Sequence, residues 1–352
     1  MSITLKELFV VAALSGVATV FVARPALSEA NNNDINLLEL SGDIANLADK
    51  VSQGTVSLKV SRHDGRNMGF GRGTGFVVDA IKGTVVTNAH VVEDAQSARV
   101  QFADGREVTG TVLGVDAKTD LAVLSIPAGS ARHQLQWGDS DVLRPGNLVM
   151  AIGSPLGLEG TTSLGVVSAL GRSLELVEGA YEDFIQFDAF IDRGSSGGPL
   201  VNMAGEVVGI NTAIGGGGGS AEPMWRGIGY AIPTAIAKRY VADLESLGHV
   251  RRGRLGVIVT EYDAQQAERL GLNHLYGVTV TTVVKGGPAD KAGIKVDDVI
   301  LEIEGREITT SKQVKTRIAA LEPGSSAKIK ILSERAFRTV RVKIGKNEDA
   351  DG

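Results

Sequence analysis

From Thr55 onward the chain breaks into short β-prone apolar runs separated by Gly, Asp and Asn. One set comprises Val56–Val60, Gly75–Val78, Thr84–Thr87, Ala98–Phe102, Thr111–Val115 and Leu121–Leu124; a second comprises Leu148–Ile152, Thr161–Ala169, Phe184–Phe187, Pro199–Val201, Val207–Thr212 and Gly229–Ile232. Runs of this length, bounded by turn residues at this spacing, are what an antiparallel barrel or sandwich produces. The arithmetic predicts a mostly β protein with two barrels of about six strands each. Helical periodicity appears at Ile35–Val51, where Leu37, Leu38, Ile44, Leu47 and Val51 can share a face, and at Pro233–Leu247, which Gly248 stops. Beyond a basic hinge at His249–Arg254 lies a module of strands at Leu255–Thr260, Val278–Val284, Val299–Ile303, Ala327–Leu332 and Thr339–Ile344, with helices near Ala264–Leu270 and over Ser311–Leu321. The tail from Lys346 to Gly352 is polar and reads as loose.

Composition narrows the function classes. The 352 residues are 43% hydrophobic and 22% charged, an ordinary globular balance. With 45 glycines, 9 prolines and no repeating period, many tight turns between strands are expected. There is no cysteine, which excludes thiol catalysis, disulfides and cysteine-ligated metal. A net charge of −5, with no basic block beyond Arg251, Arg252 and Arg254, argues against nucleic acid as a main partner. No cofactor or metal-ligand cluster is read. At the N-terminus Lys6 precedes a charge-free apolar run, Leu8–Ala23, followed by Arg24 and the small-residue patch Pro25–Ala30. Residues 1–30 therefore read as an export signal or a retained membrane anchor, and either puts the body of the protein outside the cytoplasm.

The candidate chemistry centres on Phe190–Leu200, where Ser196 sits among glycines that permit positive φ and close approach of a substrate to the main chain. A serine nucleophile needs a base, and histidine has the suitable pKa. Of the five histidines, His63, His133, His249 and His274 lie in polar or loop contexts, whereas His90 closes the strand-like run Thr84–Val92. The base in turn needs a carboxylate on its other ring nitrogen. Asp120, at the mouth of the apolar run Leu121–Leu124, suits that place, and Asp116 reads as a turn residue on the surface. In this order base and acid fall in the first barrel and the nucleophile in the second, with the site in the cleft between.

The stretches Thr87–Val92, Thr119–Leu124, Ala151–Leu158, Gly165–Arg172, Gly194–Leu200 and Gly205–Ala213, taken together and in order, resemble the HtrA (Deg) serine proteases. The resemblance runs from about Ile44 to Ile344. It implies a chymotrypsin-like double six-stranded antiparallel β-barrel over residues 31–250 and an α+β PDZ domain over 251–346, with 347–352 as a tail. It further implies His90 as general base, Asp120 as its orienter, Ser196 as nucleophile, and an oxyanion hole from the N–H groups of Gly194 and Ser196 with Ser195 between them. A homotrimer, a periplasmic location and control by peptide binding at the PDZ module also follow from the resemblance. Two departures fall near the chemistry: family members usually carry Asn where this chain has Ser195, and commonly Asn where it has Asp192. They keep open a second function, that of a silent relative acting as a chaperone or peptide-binding scaffold.

Phe190, Ile191 and the strand Gly227, Ile228 and Gly229 are apolar and are expected to line the primary pocket, favouring a small or aliphatic side chain before the cleaved bond. In the C-terminal module Arg254–Val257 and Gly287–Ile300 carry the PDZ resemblance. Such domains add a peptide C-terminus to a sheet edge, so Leu255, Gly256 and Val257 would form the carboxylate loop while Val314 and Ile318 face the groove. The glycine runs Gly69–Gly75 and Gly215–Gly219 do not open helices after strands, which excludes a dinucleotide fingerprint; they read as mobile loops beside the cleft. Ser61–Arg72 reads as a short loop, as in the anchored stress-sensor members, and Ser173–Asp183 as a relay by position.

Overall fold

Antiparallel strands joined by tight turns pair with their sequence neighbours, and in the computed structural model the two sets of apolar runs close into two barrels. Residues 37–64, 67–154, 160–174, 179–214, 227–261 and 277–348 are described. Helix α1 (Leu37–Gly54) leads in, with Leu47 and Val51 buried and Leu37 and Leu38 exposed. The first barrel follows as β1 (Thr55–Asp64), β2 (Asn67–Asp79), β3 (Thr84–Thr87), β4 (Ser97–Phe102), β5 (Glu107–Asp116) and β6 (Leu121–Ser125), in the order β1-β2-β3-β6-β5-β4. The second is β7 (Leu148–Gly153), β8 (Thr161–Arg172), β9 (Phe184–Phe187), β10 (Pro199–Val201), β11 (Val207–Ile214) and β12 (Gly229–Pro233), in the order β10-β11-β12-β9-β8-β7.

Strand β4 alternates buried and exposed positions, whereas β3 is buried throughout and β6 nearly so. Val56, Leu58, Val85, Val100 and Leu124 fill the first barrel, and Val149, Ile185, Phe187, Leu200 and Val208 fill the second. A third cluster, with Phe76, Met150, Ile152, Val201 and Ile210, joins the barrels and receives helix α2 (Thr234–Leu247) through Ile236, Tyr240, Val241 and Leu244. Pro233 caps that helix with φ already at −69°, and Gly248 ends it at φ +78°, a left-handed conformation that favours glycine.

The C-terminal module comprises β13 (Gly253–Arg254), β14 (Val257–Glu261), β15 (Val278–Val283), α3 (Pro288–Lys291), β16 (Val299–Ile303), β17 (Arg306–Glu307), α4 (Ser311–Ala319), β18 (Ser326–Ser333), β19 (Ala336–Lys343) and β20 (Gly345–Lys346). Its sheet runs β14-β15-β16-β18-β19, which leaves β14 on an edge. Helix α4 starts where Thr310 accepts the Gln313 N–H at 3.2 Å, while the Gln313 side chain reaches back to Thr309 N–H at 2.8 Å.

Four readings from the sequence change. Ser61–Arg72 is not a loop: β1 and β2 pair from Thr55↔Phe76 out to Asp64↔Asn67. Gly69–Gly75 likewise lies inside β2, where a Cβ on Gly75 would stand 2.9 Å from the Val86 carbonyl oxygen, so glycine is what lets the strand approach. Lys346 is tied down, since β20 pairs with β13 and Asn347 N–H donates to the Arg252 carbonyl at 2.9 Å. Asp116 is not a surface turn residue. It is buried, and its Oδ2 accepts from Arg252 Nη2 at 2.5 Å and from the Thr119 hydroxyl. The N-terminal segment 1–30, the helix near Ala264–Leu270, Gly215–Gly219 and the middle of Ser173–Asp183 lie outside the described residues.

Arg252, read as part of a basic hinge, is 2% exposed. Its guanidinium stacks 4.5 Å from the Tyr181 ring centre and 5.5 Å from that of Tyr240, besides pairing with Asp116. Burial pushes the Tyr240 hydroxyl up to about 12 and raises that of Tyr181 as well. Around this stack, α4 contacts the segment before β9. Lys315 Nζ donates to the Gly179 carbonyl at 2.7 Å, Thr316 to that of Glu182 at 3.2 Å, and Arg317 Nε to Asp183 at 3.3 Å. The C-terminal module thus docks on the second barrel through charges and carbonyls.

Candidate functional site

His90 is carried on a single 3-10 turn, Ala89–Val91, at the end of β3, because β3 is pinned between β2 and β6. Its ring Nδ1 lies 2.9 and 2.8 Å from the two carboxylate oxygens of Asp120, and its backbone N–H donates to Asp120 Oδ1 at 3.0 Å. With Nδ1–H donating to the carboxylate, Nε2 is the ring nitrogen able to accept a proton. Asp120 holds a left-handed backbone, φ +56°, unusual for a residue with a side chain. Asn88, wholly buried, fixes it by donating from Nδ2 to the Asp120 carbonyl at 2.8 Å. Thr212, from β11 of the other barrel, donates its hydroxyl to Asp120 Oδ2. The carboxylate is therefore held from both barrels.

Ser196 lies in the turn between β9 and β10. The Ser195 N–H closes that turn onto the Asp192 carbonyl at 2.8 Å, with Gly194 at φ +97° as its third residue. Positive φ at that position alone is the signature of a type II turn, in which the central peptide is turned over relative to type I. Among the described residues the N–H groups of Gly194 and Ser196 donate to nothing, and Ser196 Oγ, half-buried, bonds to no side chain. Ser195 and Asp192 serve the turn itself: Ser195 Oγ accepts the Asp192 N–H at 3.3 Å, and Asp192 Oδ1 accepts the Arg193 N–H at 2.7 Å.

The turn is seated against the first barrel. A Cβ on Gly197 would stand 2.2 Å from both the Thr74 carbonyl oxygen and the Thr87 hydroxyl, and 3.0 Å from Asn88 N, so the residue after Ser196 touches the strand end that carries His90. Beside His90 and Asp120 opens a cavity of about 570 Å³ whose walls include Val92, Val115 and Thr212. Of the predicted pocket residues, Phe190 is exposed and Ile191 buried, while Gly229 packs where a Cβ would stand 2.8 Å from the Phe187 ring and 3.1 Å from Ile191 Cδ1. Ile228 packs on the central core and Gly227 takes φ +80°.

In the C-terminal module Gly256 has φ +79°, and the carbonyls of Leu255 and Gly256 accept from Ala289 and Val284. Leu255, Val314 and Ile318 are buried in the module's core, Val257 is half-buried, and Ile258, which the sequence reading passed over, is exposed on the edge strand β14. Thr74, Thr87, Asn88 and Thr212 were also not singled out. Thr74 lies inside the glycine run Gly69–Gly75, Thr87 and Asn88 inside the His90 motif Thr87–Val92, and Thr212 inside Gly205–Ala213, each a hydroxyl or amide with no pattern of its own.

Residues 73–210 match the trypsin-like peptidase domain and residues 253–344 the PDZ domain. Over 282 residues the chain is 44% identical to a probable periplasmic serine endoprotease DegP-like of Chlamydia muridarum, covering 80% of this chain and 55% of that protein. It is 42% identical to the periplasmic pH-dependent serine endoprotease DegQ of Escherichia coli, covering 74% of this chain and 56% of that one. The chain thus spans about half the length of these curated relatives. Among solved structures, the HtrA-type protease AlgW with tripeptide superposes with a TM-score of 0.66 at 35% identity, covering 86% of this chain and 97% of that one.

Proposed function

This chain belongs to the HtrA (Deg) family of serine proteases, and from that premise and the geometry above we propose that it is an exported, PDZ-regulated serine endopeptidase of misfolded or regulatory proteins. The observation that carries the reading is the 2.8 Å contact between His90 Nδ1 and the Asp120 carboxylate, with Gly197, the residue after Ser196, seated against Thr87 and Asn88.

In the proposed reaction Ser196 Oγ attacks the scissile carbonyl while His90 Nε2 takes its proton, and Asp120 stabilises the imidazolium. The Gly194 and Ser196 N–H groups receive the developing oxyanion, a contribution of about 10²–10³ in rate for each donor. His90 then protonates the leaving amine, and water, activated by the same imidazole, releases the acyl group from Ser196. The apolar surroundings of Ile191 and Gly229 support a small or aliphatic residue before the cleaved bond.

The edge strand β14 supports capture of a peptide C-terminus with Leu255, Gly256 and Val257 as its carboxylate loop. Its neighbour α4 bonds through Lys315, Thr316 and Arg317 to the segment before β9, which supports a route from bound peptide to protease. The names of the relatives and the export-like segment 1–30 support a periplasmic location, anchored or soluble. No described helix is long and apolar enough to cross a membrane. We take the homotrimer and a role in protein quality control under stress from the family.

Cleavage of casein tests the reading, comparing wild type, Ser196→Ala and Asp120→Asn, each with and without peptides bearing free apolar C-termini. Cleavage by wild type alone, faster with peptide, is expected. Binding of unfolded casein without cleavage under every condition would instead favour the scaffold.

A further inference from the structure

One residue of the first barrel meets the nucleophile turn on both sides of Ser195. Thr74, wholly buried in β2, donates its backbone N–H to the Ser196 carbonyl at 2.9 Å and its hydroxyl to the Gly194 carbonyl at 2.6 Å. The direction of the second bond is fixed by the third partner. Ser154 N–H donates to the same hydroxyl at 2.9 Å, occupying a lone pair, so the single O–H proton goes to Gly194. The Thr74 carbonyl in turn accepts the Thr87 hydroxyl at 2.7 Å, three residues before His90.

The consequence is geometric. The peptide planes on either side of the Ser195–Ser196 bond cannot turn over without breaking a bond to Thr74, and between them lie the Ser196 N–H and Oγ. The seat leaves no slack: a Cβ on Gly153 would stand 2.8 Å from Ser195 Cα, and one on Gly198 would stand 3.0 Å from Thr74 Cγ2. Through Thr87 the same residue holds the strand end bearing His90. The sequence hides it in Gly73-Thr74-Gly75, where the flanking glycines admit Val91 on one side and Val86 on the other.

We infer that Thr74 is a positioning residue for the acyl-transfer site: its hydroxyl ties the Gly194–Ser195 peptide to the first barrel and so holds in place the next peptide, which carries the Ser196 N–H. This rests on the endopeptidase reading for its kinetic consequence but not for the bonds themselves. Thr74→Val keeps the shape and loses the hydroxyl, taking the partner from the half-buried Gly194 carbonyl and from the N–H of the buried Ser154. Thr74→Ser keeps the hydroxyl and loses only a methyl.

The test uses the full chain and two readouts. In turnover of a peptide substrate, Thr74→Val is expected to lower kcat about 10²-fold with KM within about twofold, as loss of transition-state alignment does, while Thr74→Ser stays within about threefold of wild type. In hydrogen exchange, Thr74→Val is expected to speed exchange at 150–154 and 192–198 and not in the C-terminal module. Unchanged kcat in Thr74→Val, or equal losses in Thr74→Val and Thr74→Ser that track a fall in Tm, would overturn the inference. A wild type without Ser196-dependent turnover would sink the endopeptidase reading alone. Exchange then decides on Thr74, and unchanged protection of both segments in Thr74→Val would refute its positioning role.

Discussion

The cleft between the barrels and the junction with the PDZ module are both buried and polar, yet they are built from different materials. In the cleft, neutral groups do the holding: Thr74, Thr87, Asn88 and Thr212 bond to carbonyls or to the single carboxylate of Asp120, and glycines allow backbone to touch backbone. At the junction the groups are charged. Arg252 pairs with Asp116 between two tyrosine rings, Arg239 and Arg251 share Asp243, and Arg317 meets Asp183. Fixed dipoles need no rearrangement when charge develops on a substrate, which suits a reaction centre. Buried ion pairs roughly balance desolvation against attraction and are costly to break on one side only, so the junction depends on both partners of each pair being present.

That contrast is broken most severely at the cleft by removing the carboxylate beside His90 or the proposed nucleophile. Ser196→Ala and Asp120→Asn should each lower kcat by about 10⁴ or more while leaving the unfolding midpoint in urea unchanged. A matching loss of stability would mean that the cleft carries structural charge after all. At the junction the converse holds. Arg252→Met strands Asp116 in a buried site, and urea unfolding should report a loss of about 3–5 kcal/mol. Converting Asp116 to Asn in the same chain should recover part of it, since the stranded charge is what costs.

Salt sharpens the comparison at smaller amplitude. The exposed Arg251–Glu322 pair at the junction, 3.8 Å apart, should weaken between about 0.05 and 0.5 M salt as screening shortens to a few ångströms. Limited proteolysis between the barrels and the PDZ module should then accelerate, with the labelling rate of Ser196 little altered. Finer still is pH. Burial raises the Asp183 carboxyl above its ordinary 3.8, against the pull of Arg317. A carboxyl raised in the folded state binds its proton more tightly there than in the unfolded chain, so its contribution is most favourable below 3.8 and is lost as pH rises through the folded value. The stability of the wild type relative to Asp183→Asn should therefore be greater near pH 3.5 than at pH 7, as urea midpoints at about these two values would record.

Legibility in the sequence followed the range of the interactions. The barrel strands were plain because each apolar run pairs with a neighbour a turn away, and β16 falls on the residues the pattern marked, Val299–Ile303. His90, Asp120 and Ser196 stood in motifs, and the structure brings the first two into contact and seats the turn of the third on Thr87 and Asn88. What stayed hidden depends on partners far along the chain. Asp116 reads as a turn residue until Arg252, 136 positions later, is folded onto it. Thr74 looks like a spacer between glycines until Gly194, 120 positions later, is set against it. Hydroxyl-to-carbonyl bonds leave no periodicity, and a charge buried between aromatic rings is spelled like any solvated one.

In the proposed reaction Ser196 is a nucleophile held ready by a neutral scaffold. Intact-mass measurement after treatment with a fluorophosphonate, followed by peptide mapping, tests it directly. A single adduct on the peptide containing Ser196, absent in Ser196→Ala and formed at a rate insensitive to salt, is the predicted result. An adduct on another residue, or none in the folded wild-type protein with an activating peptide present, would contradict it.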